Sequence, residues 1–148
     1  MRQRLIIIGY LLLSLSSFAQ INIWEGEAGR PKVRLTAYTA QNPRHVAIIV
    51  CPGGSYFWHD MKTEGEGVAL WLKDNGFTAF VLDYRTAYVP AFITHFRYIF
   101  RGNRYPDPQD DLRQAIRYVK SHAKEYNIDP DKIGAMGFSA GEDLLSGP

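Results

Sequence analysis

Three short, mostly apolar runs predict the strands of a sheet, and the first of them is rich in β-branched residues. They are His45–Val50, Phe77–Tyr84 and Lys132–Met136. Runs of this kind are typical of strands that are covered on both faces, as in parallel sheets. An earlier segment, Lys32–Thr39, alternates in polarity as a half-buried strand does, and Gln41-Asn42-Pro43 after it predicts a turn.

Two segments with helical periodicity separate these strands. In Glu64–Asn75 the residues Val68, Ala69 and Leu72 share one face, and Gly76 follows as a stop signal. In Asp110–Tyr126 the apolar positions recur every three or four residues, and Asp107-Pro108 suits the helix start. Alternation of strands and helices predicts right-handed crossovers, and hence an α/β fold with a parallel sheet and helices on both faces.

The segment between Arg85 and Tyr105 is unusually rich in aromatic and arginine residues. It is too long for a plain connection, and loops of that length usually carry function or structure of their own. Two interpretations stay open: a lid over a substrate cleft, or a segment that docks on the sheet.

Residues 1–19 have the layout of a secretory signal peptide. Arg2 and Arg4 precede an apolar run, and the small residues Ser17 and Ala19 precede a predicted cut before Gln20. A membrane anchor is the alternative, but the apolar run is shorter than the roughly 20 residues that a spanning helix needs. We therefore expect a secreted or periplasmic protein without a membrane anchor after cleavage, and a mature chain that begins at Gln20.

Net charge and cysteine content exclude several classes of function. The 148 residues carry 17 Lys and Arg against 15 Asp and Glu, and losing Arg2 and Arg4 leaves 15 against 15. A near-neutral chain with scattered charges offers no basic face for nucleic acid. The single cysteine, Cys51, excludes an intramolecular disulfide and a cysteine-rich zinc site, so we expect no metal and no cofactor.

The third predicted strand leads directly into Gly137-Phe138-Ser139-Ala140-Gly141, a G-x-S-x-G pattern. A sharp turn from strand to helix puts the serine in a strained conformation, and the flanking glycines let the chain pass itself. Such a turn presents the Ser139 hydroxyl above the sheet edge as a nucleophile. Gly137 and Gly141 are the predicted elbow glycines.

A second candidate motif, Cys51-Pro52-Gly53-Gly54-Ser55-Tyr56, follows the strand that ends at Val50. Acyl transfer needs backbone N–H groups aimed at an oxyanion, and glycines let the main chain approach closely enough to aim them. An ordinary Gly-Gly turn is the alternative. Both motifs follow buried strands, and this agreement favours one catalytic site.

Other polar and aromatic residues are weaker candidates. His59-Asp60 lacks a second histidine at ligand spacing, which argues against a metal site. Tyr56, Phe57 and Trp58 either line a substrate cleft or pack the loop. Asp83, at the end of its strand, is expected to anchor a loop, and His122 is expected on the surface.

Taken together, these motifs resemble the first part of an α/β-hydrolase of the esterase and lipase kind. More narrowly, they are similar to secreted bacterial carbohydrate-esterase-like proteins, which are often labelled acetylxylan esterase or loosely xylanase. The segments that carry the resemblance are Val50–Gly54 with an aromatic residue soon after, Glu64-Gly65, Ala79–Arg85, Asp110–Arg117, Asn127–Gly134 and Met136–Gly141.

The resemblance implies roles for particular residues. Ser139 matches the nucleophile, and the N–H groups of Gly54, Ser55 and Ala140 match the oxyanion donors. Two departures stand out. Ser55 replaces a third glycine, and Glu142-Asp143-Leu144 stands where Gly-His-Leu is usual, so that Glu142 is expected to be bulky where the nucleophile helix packs.

A triad on this fold runs in the order Ser, acid, His, yet no histidine follows Ser139. His45, His59, His95 and His122 all precede it, and His95 as a base would be unorthodox. We therefore expect residues 20–148 to form a partial α/β-hydrolase domain that ends after the nucleophile elbow.

The expected function is a serine ester hydrolase that deacylates carbohydrate esters of the acetylxylan type, with a small-molecule or polysaccharide ester as substrate. The alternatives are a peptidase of the prolyl-oligopeptidase kind and an inactive truncated fragment. The sequence does not indicate an oligomeric state.

Overall fold

Five strands form one sheet in this computed structural model, which describes residues 19–30, 32–86 and 106–146. The strands are β1 (Gln20–Asn22), β2 (Arg34–Tyr38), β3 (Ala47–Cys51), β4 (Thr78–Asp83) and β5 (Ile133–Gly137). Their order across the sheet is β1-β2-β4-β3-β5. The three apolar runs therefore form the adjacent strands β4, β3 and β5, as the sequence predicts.

Strand β3 pairs in parallel with both β4 and β5, with Val50 opposite Val81 on one side and Met136 on the other. This confirms the predicted parallel arrangement. On the far side of β4, β2 pairs antiparallel with β4, and β1 pairs antiparallel with β2. The short strand β1 had no sequence prediction, because three residues are too few for a periodic pattern.

The first helix begins earlier than predicted. Residues Met61–Gly67 form π-helical turns that continue as α1 (Val68–Asp74). The side chain of Asp60 accepts a hydrogen bond from Thr63 N at 2.9 Å and so caps the turn. The polar N-terminal turns contribute little to an apolar pattern, which explains why the sequence places the start at Glu64.

The second helix, α2 (Asp107–Ser121), begins at Asp107-Pro108, as the sequence predicts, and ends before the predicted Tyr126. Pro108 stands in the first turn, where its missing N–H costs no hydrogen bond. Turns follow Ser121, and Ile128 N donates to Ala123 O at 2.8 Å. Ala123 is buried although it lies beyond the helix. The apolar pattern therefore extends past the last helical residue, and the sequence overestimates the length of the helix.

Helices cover both faces of the sheet, as predicted. Leu112, Ala115 and Val119 of α2 belong to one buried cluster with Ile49, whereas Ala69 and Leu72 of α1 belong to a second cluster with Val50. Ile49 and Val50 are consecutive residues of β3. The side chains of a strand alternate between its two faces, so a fully apolar strand serves both cores.

A buried carboxylate ties α2 to the rest of the fold. Asp111 is fully buried and accepts a hydrogen bond from Trp24 Nε1 at 2.8 Å. Arg85 reaches it from the segment after β4, through its backbone N–H at 2.9 Å and its guanidinium at 2.9 Å. The amphipathic pattern of α2 gives no sign of this network, because an aspartate near the start of a helix is usually exposed.

The predicted signal peptide and most of the aromatic segment lie outside the described residues, as does His95. The two interpretations of that segment stay predictions. Within residues 19–30, 32–86 and 106–146, no helix combines the length and apolar character needed to cross a bilayer.

Candidate active site

Ser139 lies on a sharp turn at the carboxyl end of β5. Its φ of 50° is in the left-handed region, which non-glycine residues seldom adopt. A short 3₁₀ turn, Ser139–Gly141, follows, with Gly141 N donating to Phe138 O at 2.8 Å. The side chain is exposed, so the turn presents the hydroxyl to solvent. The predicted strained strand-to-helix turn is therefore present.

Gly137 and Gly141 are needed because backbone segments pack closely together at this turn. A Cβ on Gly137 would overlap the Gly141 carbonyl, and a Cβ on Gly141 would overlap the Cys51 carbonyl. Both clashes involve backbone atoms, which have little freedom to move away. The spacing of the motif therefore follows from packing within the turn and from packing against the end of β3.

The glycine-rich loop after β3 meets the serine turn, as the sequence predicts. Phe138 N donates to Cys51 O at 3.1 Å, one residue beyond the last pair of β3 and β5. Gly53 lies against the serine itself, since a Cβ built on it would be 3.2 Å from Ser139 Cβ. Parallel neighbours end at the same edge of a sheet, and this brings the two motifs together.

The loop has an unusual run of backbone angles. Gly54, Ser55 and Tyr56 all have positive φ values, of 145°, 55° and 64°. Phe57 N and Trp58 N both donate to Gly54 O, at 3.1 and 3.3 Å, and close a tight turn. The N–H groups of Gly54, Ser55 and Ala140 make no hydrogen bond to any described residue. Their assignment as oxyanion donors stays a prediction that this geometry permits.

Buried side chains anchor the loop to the strand beside it. Tyr84 O–H donates to Pro52 O at 2.7 Å, and burial raises the pKa of Tyr84, which keeps it a donor. His59 Nδ1 lies 3.0 Å from Asp83 Oδ1. Burial acts to raise the pKa of Asp83, but its contacts with His59 and Arg34 outweigh burial and lower it. Asp83 therefore anchors the loop, as expected from its position.

Residues after the elbow also contact this loop. Tyr56 O–H donates to Asp143 Oδ2 at 3.1 Å. Burial, followed by the charge of Asp143, raises the pKa of Tyr56 to about 12. Glu142 is exposed, so the expectation that it would be bulky in a close helix contact is wrong. Two aromatic residues of the loop differ in burial: Phe57 is buried and packs the loop, whereas Trp58 is 44% exposed.

No described histidine contacts Ser139. His45 Nδ1 lies 2.9 Å from Asn127 O, and His122 Nδ1 lies 2.9 Å from Tyr118 O, where it is half-buried rather than fully on the surface. His59 is engaged with Asp83. Among the described residues, no histidine is placed to act as a general base for Ser139.

The described part of the chain gives no support to a cysteine nucleophile or to a metal site. Cys51 is buried, and burial raises the pKa of its thiol to about 12, which keeps it protonated and a poor nucleophile. No group of three or more His, Cys, Asp or Glu side chains could hold a metal ion there.

Comparison with known proteins identifies the family. Residues 35–146 match the BD-FAE family. The chain belongs to this family. Among curated relatives of this BD-FAE protein, an acetylxylan esterase of Xylanibacter ruminicola is 30% identical over 99% of the chain and 28% of the relative. An endo-1,4-beta-xylanase B of Butyrivibrio fibrisolvens is 35% identical over 66% of the chain and 14% of the relative.

Solved structures agree with the fold. An acetyl ester-xyloside bifunctional hydrolase from Caldicellulosiruptor lactoaceticus superimposes with a TM-score of 0.69 and 34% identity, covering 87% of this chain and 45% of that one. The α/β hydrolase MGS-M1 from a Medee basin deep-sea metagenome library has a TM-score of 0.68 and 29% identity, with 88% and 49% covered. The BD-FAE chain therefore has an α/β-hydrolase fold, and it spans less than half the length of these relatives.

Proposed function

We propose that this BD-FAE chain carries the nucleophile and oxyanion donors of a serine ester hydrolase that acts on acylated plant polysaccharide. One observation carries the proposal: an exposed serine in a left-handed turn lies against a glycine loop whose N–H groups at Gly54 and Ser55 bond to no described residue. Similarity to an acetylxylan esterase and to an acetyl ester-xyloside hydrolase supports acetyl esters of xylan as substrates.

In this mechanism, Ser139 Oγ attacks the ester carbonyl, and the tetrahedral oxyanion accepts hydrogen bonds from the N–H groups of Gly54, Ser55 and Ala140. A histidine from outside the described residues takes the serine proton and passes it to the leaving alcohol. The acyl-enzyme is then hydrolysed by water. We propose export of the protein on the basis of its N-terminal sequence.

The experiment compares Ser139→Ala with the parent, in the 148-residue chain and in the longest polypeptide that its reading frame encodes. Substrates are p-nitrophenyl acetate, acetylated xylo-oligosaccharides and a matched panel of p-nitroanilide amides. We expect the longer protein to cleave esters, and Ser139→Ala to lower kcat by up to about 10⁶-fold. We expect little turnover by the 148-residue chain, because loss of a triad member removes most of the catalysis.

Ser121→Ala, on the exposed end of α2, is the control. Normal ester turnover by Ser139→Ala would refute the proposal. Preferential cleavage of the amide panel would instead favour a peptidase.

A further inference from the structure

Glu64 is a half-buried link between the first helix and the glycine-rich loop. Its Oε2 accepts a hydrogen bond from Gly53 N at 2.8 Å, across eleven residues of chain. The glutamate itself is held in a capped turn, where Glu64 N donates to Asp60 O at 3.1 Å. A side chain fixed in this way can fix the backbone that it binds.

Both polar groups of Gly53 are occupied. Glu64 takes its N–H, and Asp60 N donates to its carbonyl oxygen at 2.9 Å. Gly53 N–H is therefore unavailable to an oxyanion. The next two N–H groups, those of Gly54 and Ser55, make no hydrogen bond to a described residue. The Glu64 contact thus occupies one N–H of the loop, and it leaves the next two without a partner among the described residues.

The position of Gly53 decides how the loop faces the nucleophile. A Cβ built on Gly53 would lie 3.2 Å from Ser139 Cβ and 2.9 Å from Glu64 Oε2, so both side chains flank the same α-carbon. Donors in an oxyanion site must lie within a few tenths of an ångström of their required places. A small displacement of Gly53 would therefore move Gly54 and Ser55 away from a carbonyl bound at Ser139.

We infer that Glu64 is a positioning residue that holds the Gly53–Ser55 backbone in register with Ser139 by accepting the Gly53 N–H. This inference rests on the proposed function of Ser139 and the loop. The negative charge itself is unfavourable beside a developing oxyanion, so the useful property of Glu64 is its acceptor geometry. A glutamine offers the same acceptor without the charge, whereas an alanine removes it.

The first test measures amide hydrogen exchange by NMR in the 148-residue chain. In the parent, Gly53 N–H should exchange more slowly than the N–H groups of Gly54 and Ser55. Glu64→Ala should accelerate Gly53 exchange by about tenfold or more, corresponding to loss of one hydrogen bond to a charged group. Glu64→Gln should restore most of the protection. Glu66→Ala, an exposed glutamate two residues along the same helix, is the matched control.

The second test measures p-nitrophenyl acetate hydrolysis by the longest encoded polypeptide. Glu64→Ala should lower kcat by about 10²-fold with little change in KM, as for loss of an oxyanion donor. Glu64→Gln should stay within about threefold of the parent, and Glu66→Ala should match it.

Equal loss in Glu64→Gln and Glu64→Ala would overturn the inference, because charge rather than geometry would then matter. Unprotected Gly53 N–H in the parent would also overturn it, without the need for any variant to fold. If turnover survives Ser139→Ala, the proposed function fails. The exchange data would then still report separately whether Glu64 holds Gly53.

Discussion

Ser55 adopts a backbone conformation that suits glycine better than serine. Its φ is 55° and its side chain is exposed. The left-handed region costs a non-glycine residue about 1–2 kcal/mol. Retention of the loop conformation despite this cost indicates that Gly54, Glu64 and the neighbouring anchors over-determine it.

We expect Ser55→Gly to raise the free energy of unfolding by about 0.5–1 kcal/mol, since the strain relieved outweighs the ~0.4–1 kcal/mol of added entropy in the unfolded chain. Urea denaturation followed by circular dichroism measures the change. Ser121→Gly, at the last residue of α2, is the control and should be slightly destabilising. A loss of stability in Ser55→Gly as large as the control's would contradict the strain argument.

At the scale of elements, α2 is held by apolar packing and by a buried ionic network. Asp111 accepts hydrogen bonds from Trp24 and Arg85, and Arg85 also contacts Asp107 Oδ1 at 2.9 Å. These contacts join the segment after β1, the segment after β4 and the first turns of α2. The network fixes the helix in register along the sheet, which apolar contacts alone specify less strictly.

Asp111→Asn should lower the free energy of unfolding by about 3–5 kcal/mol, because it leaves the buried Arg85 without its main counter-charge. Asp110→Asn is the matched control. Its pair with Arg113, three residues along the same helix, is partly exposed and worth about 0.2–0.5 kcal/mol. Chemical denaturation of both variants checks the prediction, and equal losses would show that the network does not stabilise α2.

At the scale of the whole molecule, β5 forms one edge of the sheet within the described residues, because it pairs with β3 alone. Beside it lies a groove of about 340 Å³ lined partly by Ala135, Leu144 and Leu145. Leu145 is 42% exposed and Ile116 of α2 is 36% exposed. An unpaired edge strand next to apolar surface favours association between chains.

We therefore expect the purified 148-residue chain to self-associate at micromolar to millimolar concentrations. Leu145→Lys should weaken the association, since a charge at an edge opposes pairing. Trp71→Lys, at a 63% exposed position on α1, is the control and should have little effect. Sedimentation velocity over a range of concentrations measures this. A monomer throughout, or equal effects of the two variants, would contradict the prediction.

Much of the fold follows from local pattern. The apolar runs of β3 and β4 are buried on both faces, whereas β5 at the edge is only half-buried, so the pattern of the runs indicates a parallel centre flanked by helices. The G-x-S-x-G motif is equally local, because Gly137 and Gly141 are needed by a turn that contacts its own backbone. Helix ends are less predictable, since caps such as Asp60 depend on single hydrogen bonds.

The sequence by itself determined the order of elements and the exposed serine turn. Only the tertiary structure decided which residues meet across the chain: Gly53 with Glu64, Tyr56 with Asp143, and Asp111 with Arg85 and Trp24. Periodicity reports the face on which a side chain lies, whereas a polar partner depends on which elements become neighbours. That information exists only once the sheet is assembled.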